Sequence, residues 1–413
     1  MSNWPAIDVA KWHQDLPKLR LNLTSGILKT NTENQDFKMY VCGITPYDAT
    51  HLGHAATYLT FDLINRYLQM CGENVDFVEN ITDIDDPLFE RANRDNQSWS
   101  ELGESQVALF ESDMTSLRVL PPKNYVAVTA AMGSIIKAIE LLVSKGFTYE
   151  LEGNVYFRIK TFLANLPIAQ DAALKVFAER GGDPERKGKE NPLDPILWIS
   201  NKDGEPGWQS QMGLGRPGWH IECSVIALEN LIGPNYLDET LISSKTISLQ
   251  GGGSDLIFPH HFMSAALAKA MTNSEFAEAY LHSAMVGLDG EKMSKSKGNL
   301  VFVSKLISEG VDAMVLRHAL LSEKYSKDRM WTEAVLKNSQ ARVALIRSAL
   351  SKIECAPTDS VIQSIAASIA NDLDTPAALE VLDKWAADTV KGEIGGSVGE
   401  ISRFIDGALG LAL

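Results

Sequence analysis

The sequence predicts an open parallel α/β sheet, split by an insertion and followed by a helical tail, and three observations predict it. Lys38–Gly43, Gly53–Met70 and Val75–Ile81 read as strand, helix and strand. A later apolar strand, Thr246–Gln250, runs into the triplet Gly251-Gly-Gly253. From Ser304 the pattern is helical to the end, apart from loops near Pro357 and Gly395–Gly399. Strands alternating with helices give a parallel sheet covered on its faces, and the late all-helical stretch adds a separate layer.

Each element has its own reason. Met39 to Gly43 is an apolar run closed by a glycine, as expected of a buried strand. In Gly53–Met70, Leu59, Leu63 and Tyr67 recur at helical spacing and form one apolar face. Ser98–Met114 and Tyr125–Lys145 read as helices, the second stopped by Gly146. Asn154–Lys160 alternates like an exposed edge strand. The polar, Gly- and Pro-rich stretch Arg180–Gly218 reads as loop and marks an insertion returning to the main sheet. A helix is expected after Pro259.

At 413 residues the chain exceeds what one core supports, so roughly two to four structural units are expected. Hydrophobic residues at 45% and charged residues at 22% fit a soluble globular protein. Charged residues come early and no apolar run is long enough to span a bilayer, so neither a signal peptide nor a membrane partner is expected. Four scattered cysteines, Cys42, Cys71, Cys223 and Cys355, make no disulfide scaffold, and a reducing cytoplasm is the expected compartment. The net charge of −15 favours a small-molecule substrate over a long polyanion, although Arg180–Lys189 and Lys292–Lys297 are locally basic.

Two short motifs carry the chemistry. His51-Leu-Gly-His54 stands at the start of the first helix, where unpaired amides and a positive dipole end suit a phosphate. His51 and His54 can donate hydrogen bonds to an α-phosphate as charge builds, and Gly53 lets a nucleotide approach the backbone. Lys292-Met-Ser-Lys295-Ser296 lies between Gly290 and Gly298, as in a mobile loop whose lysines would neutralise a departing pyrophosphate. Alone, the first is compatible with two surface histidines and the second with a solvated charged loop. In this order, each after an apolar strand, they read as two halves of an ATP site that makes an adenylate from a carboxylic acid.

The two motifs resemble those of class I aminoacyl-tRNA synthetases. Val41-Cys-Gly-Ile-Thr-Pro-Tyr-Asp48, Asn80-Ile-Thr-Asp-Ile-Asp-Asp86, Gly218-Trp-His-Ile-Glu-Cys223 and Gly251-Gly-Gly-Ser-Asp-Leu-Ile-Phe-Pro-His-His261 are similar to the cysteinyl branch over roughly residues 38 to 320. Glu179-Arg-Gly-Gly-Asp-Pro184, and Gly-Ile-Thr-Pro-Tyr-Asp in place of the synthetase's Gly-Pro-Thr-Val-Tyr-Asp, resemble the cysteine:glucosaminyl-inositol ligases of mycothiol biosynthesis. The resemblance implies a Rossmann nucleotide-binding fold of the class I synthetase type. Its expected divisions are an N-terminal segment 1–37, first catalytic half 38–122, inserted connective domain 123–215, second catalytic half 216–288, lysine-motif region 289–320 and C-terminal helical domain 321–413.

Cys42 and Cys223 belong to no close-spaced zinc pattern, and spacing alone leaves them as small buried hydrophobes. By resemblance they bind one Zn²⁺ per chain together with His260. The synthetase adds a glutamate four residues after that histidine, whereas this sequence has Ser264, a poor ligand. Three protein ligands leave a position for a substrate thiolate, which serine cannot match, so no editing domain is required. The resemblance also implies that Gly43, Ile44, Thr45, Thr57, Asn80, Ile81 and Thr82 hold the cysteinyl-adenylate. Trp219 would pack beside the cysteine, Gly253, Ser254 and Asp255 would face the ribose, and Val286 would contact adenine. One of Asp83, Asp85 and Asp86 is expected to orient the incoming amine. Cys71 and Cys355 are expected to be plain thiols, and His13, His282 and His318 structural.

The implied reaction uses ATP with Mg²⁺ to form cysteinyl-AMP and then transfers cysteine to the amine of glucosaminyl-inositol. No tRNA partner is expected, and a monomer is the expected state. The rival activity is a cysteinyl-tRNA synthetase, which shares the first step. Against it stand Ser264, Glu179–Pro184 and a tail with no basic anticodon-reading module. A non-catalytic paralogue is disfavoured by the intact histidine and lysine motifs.

Overall fold

The computed structural model describes residues 4–23, 26–29, 36–202, 204–238, 240, 245–288, 290–293 and 298–413. A hairpin of β1 (Arg20–Leu23) and β2 (Gly26–Lys29) precedes β3 (Phe37–Ile44), α1 (Leu52–Met70) and β4 (Val75–Ile81), the expected strand–helix–strand unit. Helices α2 (Asp86–Arg94) and α3 (Trp99–Ser116) lead to β5 (Asn124–Ala127) and α4 (Val128–Ser144). The insertion contributes β6 (Thr148–Leu151), β7 (Asn154–Phe157), α5 (Gln170–Glu179), β8 (Ile196–Ser200), β9 (Trp208–Ser210) and β10 (Gly213–Pro217). The chain returns through α6 (Trp219–Leu231), β11 (Ile247–Gly253), α7 (Phe262–Thr272) and β12 (Ala277–Ser283).

The central sheet has the order β12-β11-β3-β4-β5, and every neighbouring pair is parallel. Helix α1 lies over one face, and α4, α6 and α7 pack together over the other. Two apolar cores follow, one around Met39, Leu59 and Phe61, the other around Tyr40, Ile226 and Leu267. Consecutive residues of β3 thus enter opposite cores, which is why the strand is apolar throughout. The inserted strands form an antiparallel sheet in the order β6-β7-β8-β10-β9.

Beyond the sheet come β13 (Val286–Leu288), β14 (Glu291–Lys292), α8 (Val303–Ser308), α9 (Ala313–Leu321) and β15 (Arg329–Trp331). Helices α10 (Glu333–Leu350), α11 (Asp359–Ala370), α12 (Thr375–Lys391) and α13 (Val398–Leu409) complete the tail. Among the described residues no helix is long and apolar enough to cross a membrane.

Several sequence expectations need correction. Tyr125–Ala127 is strand rather than helix, because Val126 pairs with Asn80 at the sheet edge and α4 begins only at Val128. β7 is an interior strand between β6 and β8 with all four residues buried, not an exposed edge. Arg180–Gly218 is not simply loop, since it carries β8, β9 and β10. Strands of three to five residues among glycines and prolines give too short a pattern to register. The helical reading from Ser304 onward is interrupted by β15, which pairs with β13.

Glu79 on β4 is fully buried, and neither carboxylate oxygen has a hydrogen-bond partner among the described residues. Burial pushes its carboxyl well above the usual range. The folded protein therefore keeps a proton that the unfolded chain releases, so Glu79's contribution is intact at acid pH and is lost as pH rises. Glu79→Gln, which stays neutral, is expected to gain about 1 kcal/mol or more over wild type at pH 8, with the gap closing near pH 4. Denaturant titrations at the two pH values measure it.

Candidate active site

The C-terminal ends of β3 and β11 and the first turn of α1 converge on one cavity of about 520 Å³. His51 caps α1, its Nδ1 accepting from the backbone N–H of Gly53 at 3.1 Å and of His54 at 3.4 Å. That acceptor role places the proton of neutral His51 on Nε2. The rings of His51 and His54 stack with centroids 3.8 Å apart, and both line the cavity at the positive end of a 19-residue helix. An anion in the cavity meets two imidazoles and the helix dipole together.

Gly43 sits where β3 and β4 slip register, between Val41 and Ile44. A Cβ at Gly43 would lie 1.7 Å from the Asn80 carbonyl oxygen, so only glycine fits. The Gly43 amide donates to Asn80 Oδ1 at 2.8 Å, and the Tyr40 hydroxyl donates to the same oxygen at 2.8 Å. Asn80 Nδ2 in turn donates to Thr82 Oγ1 at 3.0 Å. Asn80 and Thr82 are buried behind Gly43 and, with Ile81, do not border the cavity; they hold its floor in shape.

The cavity brings together Cys42, Gly43, Ile44, Thr45, His51, His54, Thr57, Trp219, Gly253, Asp255 and Val286 from the sequence-derived set. Ser254 lies in the following short turn without lining it. Thr57 Oγ1 is 2.6 Å from Ser283 Oγ, which pins α1 against the end of β12. Tyr47, Tyr58, Leu256, Met285 and Leu300 also line the cavity and were not singled out in sequence, although Tyr47 and Leu256 lay inside quoted motifs. Lys295 lies outside the described residues, and for Lys292 only its backbone place on β14 is described.

At the inner end of the cavity the ligand atoms of Cys42, Cys223 and His260 all lie within 4.8 Å of one another, and all three residues are buried. Cys223 comes from α6, and His260 from the bend between β11 and α7. His260 Nε2 is 3.2 Å from Cys223 Sγ, while its Nδ1 is 3.0 Å from His220 Nδ1. Trp219 stacks on His260 with centroids 4.0 Å apart. Cys42 Sγ is also 3.2 Å from His261 Nε2, and His261 Nδ1 is 2.8 Å from His282 Nε2. His282 thus supports the His261 ring that lies against Cys42.

The chemistry of these donors suits a cation. Burial, reinforced by Cys42, pushes the Cys223 thiol well up, and burial with His220 and His261 nearby keeps His260 neutral. Neutral imidazole and a thiol that cannot ionise alone are the state in which a soft divalent ion makes the difference. Two sulfurs and one nitrogen at this spacing fit a tetrahedral zinc with one further position. Ser264 is fully buried, and its hydroxyl donates to the His220 carbonyl at 3.1 Å, so it is already occupied.

A second cavity of about 860 Å³ shares Thr45, Tyr47, Arg180 and Trp219 with the first. Arg180 Nη1 is 3.3 Å from Asp255 Oδ2, so the Glu179–Pro184 segment reaches the nucleotide side. Its Asp183 accepts from the Tyr156 hydroxyl at 2.6 Å and from Lys189 Nζ at 2.9 Å, which anchors the turn to the inserted sheet.

Residues 28–341 match the family model for the tRNA synthetases class I (C) catalytic domain. The chain is 49% identical over 412 residues to a Rhodococcus erythropolis protein named L-cysteine:1D-myo-inositol 2-amino-2-deoxy-alpha-D-glucopyranoside ligase, with 96% of each chain covered. Proteins of the same name from Gordonia bronchialis and Streptomyces griseus are 46% and 47% identical, with both chains fully covered. Among solved structures, Mycobacterium tuberculosis methionyl-tRNA synthetase in complex with methionyl-adenylate superposes with a TM-score of 0.61 at 16% identity, covering 92% of this chain and 89% of that one. The ternary complex of Agrobacterium radiobacter K84 agnB2 LeuRS-tRNA-LeuAMS gives 0.60 at 13% identity, covering 92% and 83%. These two likenesses concern the fold alone.

Proposed function

The chain belongs to the family of L-cysteine:1D-myo-inositol 2-amino-2-deoxy-alpha-D-glucopyranoside ligases, built on a class I tRNA synthetase catalytic domain, and from that premise we propose that it joins L-cysteine to the amine of glucosaminyl-inositol using ATP. It is an amide-forming ligase of mycothiol biosynthesis that releases AMP and pyrophosphate. One observation carries the reading. The paired imidazoles of His51 and His54 line the same cavity as Cys42 and Trp219, against which Cys223 and His260 are packed.

In the first step a cysteine carboxylate oxygen attacks the α-phosphorus of ATP. The bond to the bridging oxygen breaks, and pyrophosphate leaves with the electron pair. His51 and His54 donate hydrogen bonds to the α-phosphate oxygens, where charge builds. Lys292 and Lys295 balance the departing pyrophosphate. Gly43, Ile44, Thr45 and Thr57 flank the adenylate, Asp255 and Gly253 the ribose, and Val286 the adenine. Asn80 acts from behind by fixing Gly43. The side chains of Cys42, Cys223 and His260 would hold one Zn²⁺, which supplies a soft Lewis acid preferring sulfur to oxygen and so cysteine to serine.

In the second step the neutral amine attacks the acyl carbon. The C–N bond forms, the bond from acyl carbon to phosphate oxygen breaks, AMP leaves with the electron pair, and the surplus proton passes to water. We take the protein to be a cytoplasmic monomer that uses Mg²⁺ with ATP and no tRNA. The test preforms the adenylate from cysteine, ATP and zinc, then offers glucosaminyl-inositol or tRNA. Cysteine-dependent ATP–pyrophosphate exchange followed by the cysteinyl amide of the sugar is the expected result. Charging of tRNA in its place overturns the proposal.

A further inference from the structure

The larger cavity is not used by the activation step. It meets the nucleotide cavity at Thr45, Tyr47, Arg180 and Trp219, where the activated acyl group would emerge. Its wall includes Glu222, which is 1% exposed and whose Oε2 has no hydrogen-bond partner among the described residues. A buried acceptor without a partner beside a cavity is a place where a ligand's donor would be favourable.

The acidic triplet after β4 divides three ways. Asp83 accepts from the Thr129 amide at 3.0 Å and from the Thr129 hydroxyl, and does not line the cavity. Asp86 is paired with Arg216. Asp85 lines the cavity, and its Oδ1 accepts from the Asp86 amide at 2.9 Å as the N-cap of α2. Its Oδ2 has no recorded partner among the described residues. A half-satisfied carboxylate and a buried carboxyl with one unpartnered oxygen on the same wall match a ligand with a nitrogen donor and hydroxyls.

We propose that this cavity receives the amino-polyol acceptor, with Asp85 accepting a hydrogen bond from its amine, Glu222 one from a hydroxyl, and the Glu179–Asp183 turn forming the outer wall. The assignment rests on the ligase reading above and gives that reading its second site. A carboxylate that takes one N–H leaves the nitrogen lone pair available for the acyl carbon. It also explains why a segment distant in sequence from both motifs accompanies them: Arg180 borders both cavities and holds Asp255.

Asp85→Asn isolates the charge, because asparagine caps a helix as well as aspartate does. With zinc-loaded full-length enzyme, the KM for glucosaminyl-inositol is expected to rise roughly ten- to hundredfold, while cysteine-dependent ATP–pyrophosphate exchange stays within about twofold. Asp85→Glu should recover part of the loss. A deaminated analogue carrying a hydroxyl in place of the amine should bind wild type more weakly than the true acceptor, and Asp85→Asn should remove that preference. A wild-type acceptor KM in Asp85→Asn, or an undiminished preference for the amine, overturns the assignment. A wild-type enzyme that makes the adenylate but never couples it to glucosaminyl-inositol overturns the ligase reading instead.

Discussion

Cys223→Ala is expected to reduce cysteine-dependent ATP–pyrophosphate exchange well beyond about a hundredfold, since even partners one shell outside a metal cost ten- to hundredfold. Cys223 is fully buried on α6, and its sulfur lies 3.2 Å from His260 Nε2. Alanine fills that place without strain, so the helix and the apolar core beneath it remain. Zinc measured on purified protein should fall from about one per chain to near zero. Urea denaturation in the presence of a chelator should show little difference between variant and wild type. Zinc retained at full stoichiometry in active Cys223→Ala would remove the three-residue site from the account.

The second large effect lies outside the active site. Asp62 on α1 is fully buried between two arginines. Its Oδ2 accepts from Arg66 Nε at 2.8 Å and from Arg317 on α9, and its Oδ1 accepts from the Leu120 amide at 2.8 Å. Arg317 also donates to the carbonyls of Leu117 at 2.6 Å and Leu409 at 2.7 Å, tying α9 and α13 to the catalytic unit. Burial alone would push the Asp62 carboxyl up, but Arg66 and Arg317 outweigh it and hold it below its usual value. Its stabilising contribution is thus present above the ordinary carboxylate range and is lost only as pH falls through the lowered folded value.

Asp62→Asn leaves two buried guanidiniums without a counter-charge and is expected to lose about 3–5 kcal/mol of stability, measured by urea denaturation at pH 7. In an Arg317→Leu background the same change should lose clearly less, because the two groups are coupled. Equal losses in both backgrounds would mean that the node acts through packing alone.

What could be read in sequence follows from how local its cause is. β3, α1 and β4 show because an apolar run, a 3.6-residue period and a second apolar run are each complete within one segment. His51 at a helix start is likewise local. The place of Cys223 and His260 beside Cys42 depends on α6 packing against β3 and on β11 pairing beside it, and only the family motifs pointed to it. Asn80 was expected beside the adenylate, and its bonds to Gly43 and Tyr40 come from register across strands. The second cavity was legible only in part: Asp85, Glu222 and Glu179–Asp183 lie in the family motifs, whereas β8 to β10 are too short to announce the sheet that carries the rest of its wall.

Helix α1 begins with His51 as its cap and buries Asp62 further along the same rod. His54 and Asp62 are eight residues apart, about 12 Å along the axis. The end that meets the nucleotide and the bolt that fastens the tail thus move as one piece. A descendant that exchanged its final helices for another module would have to bring its own cation to Asp62, or tilt the very axle on which the phosphate rests.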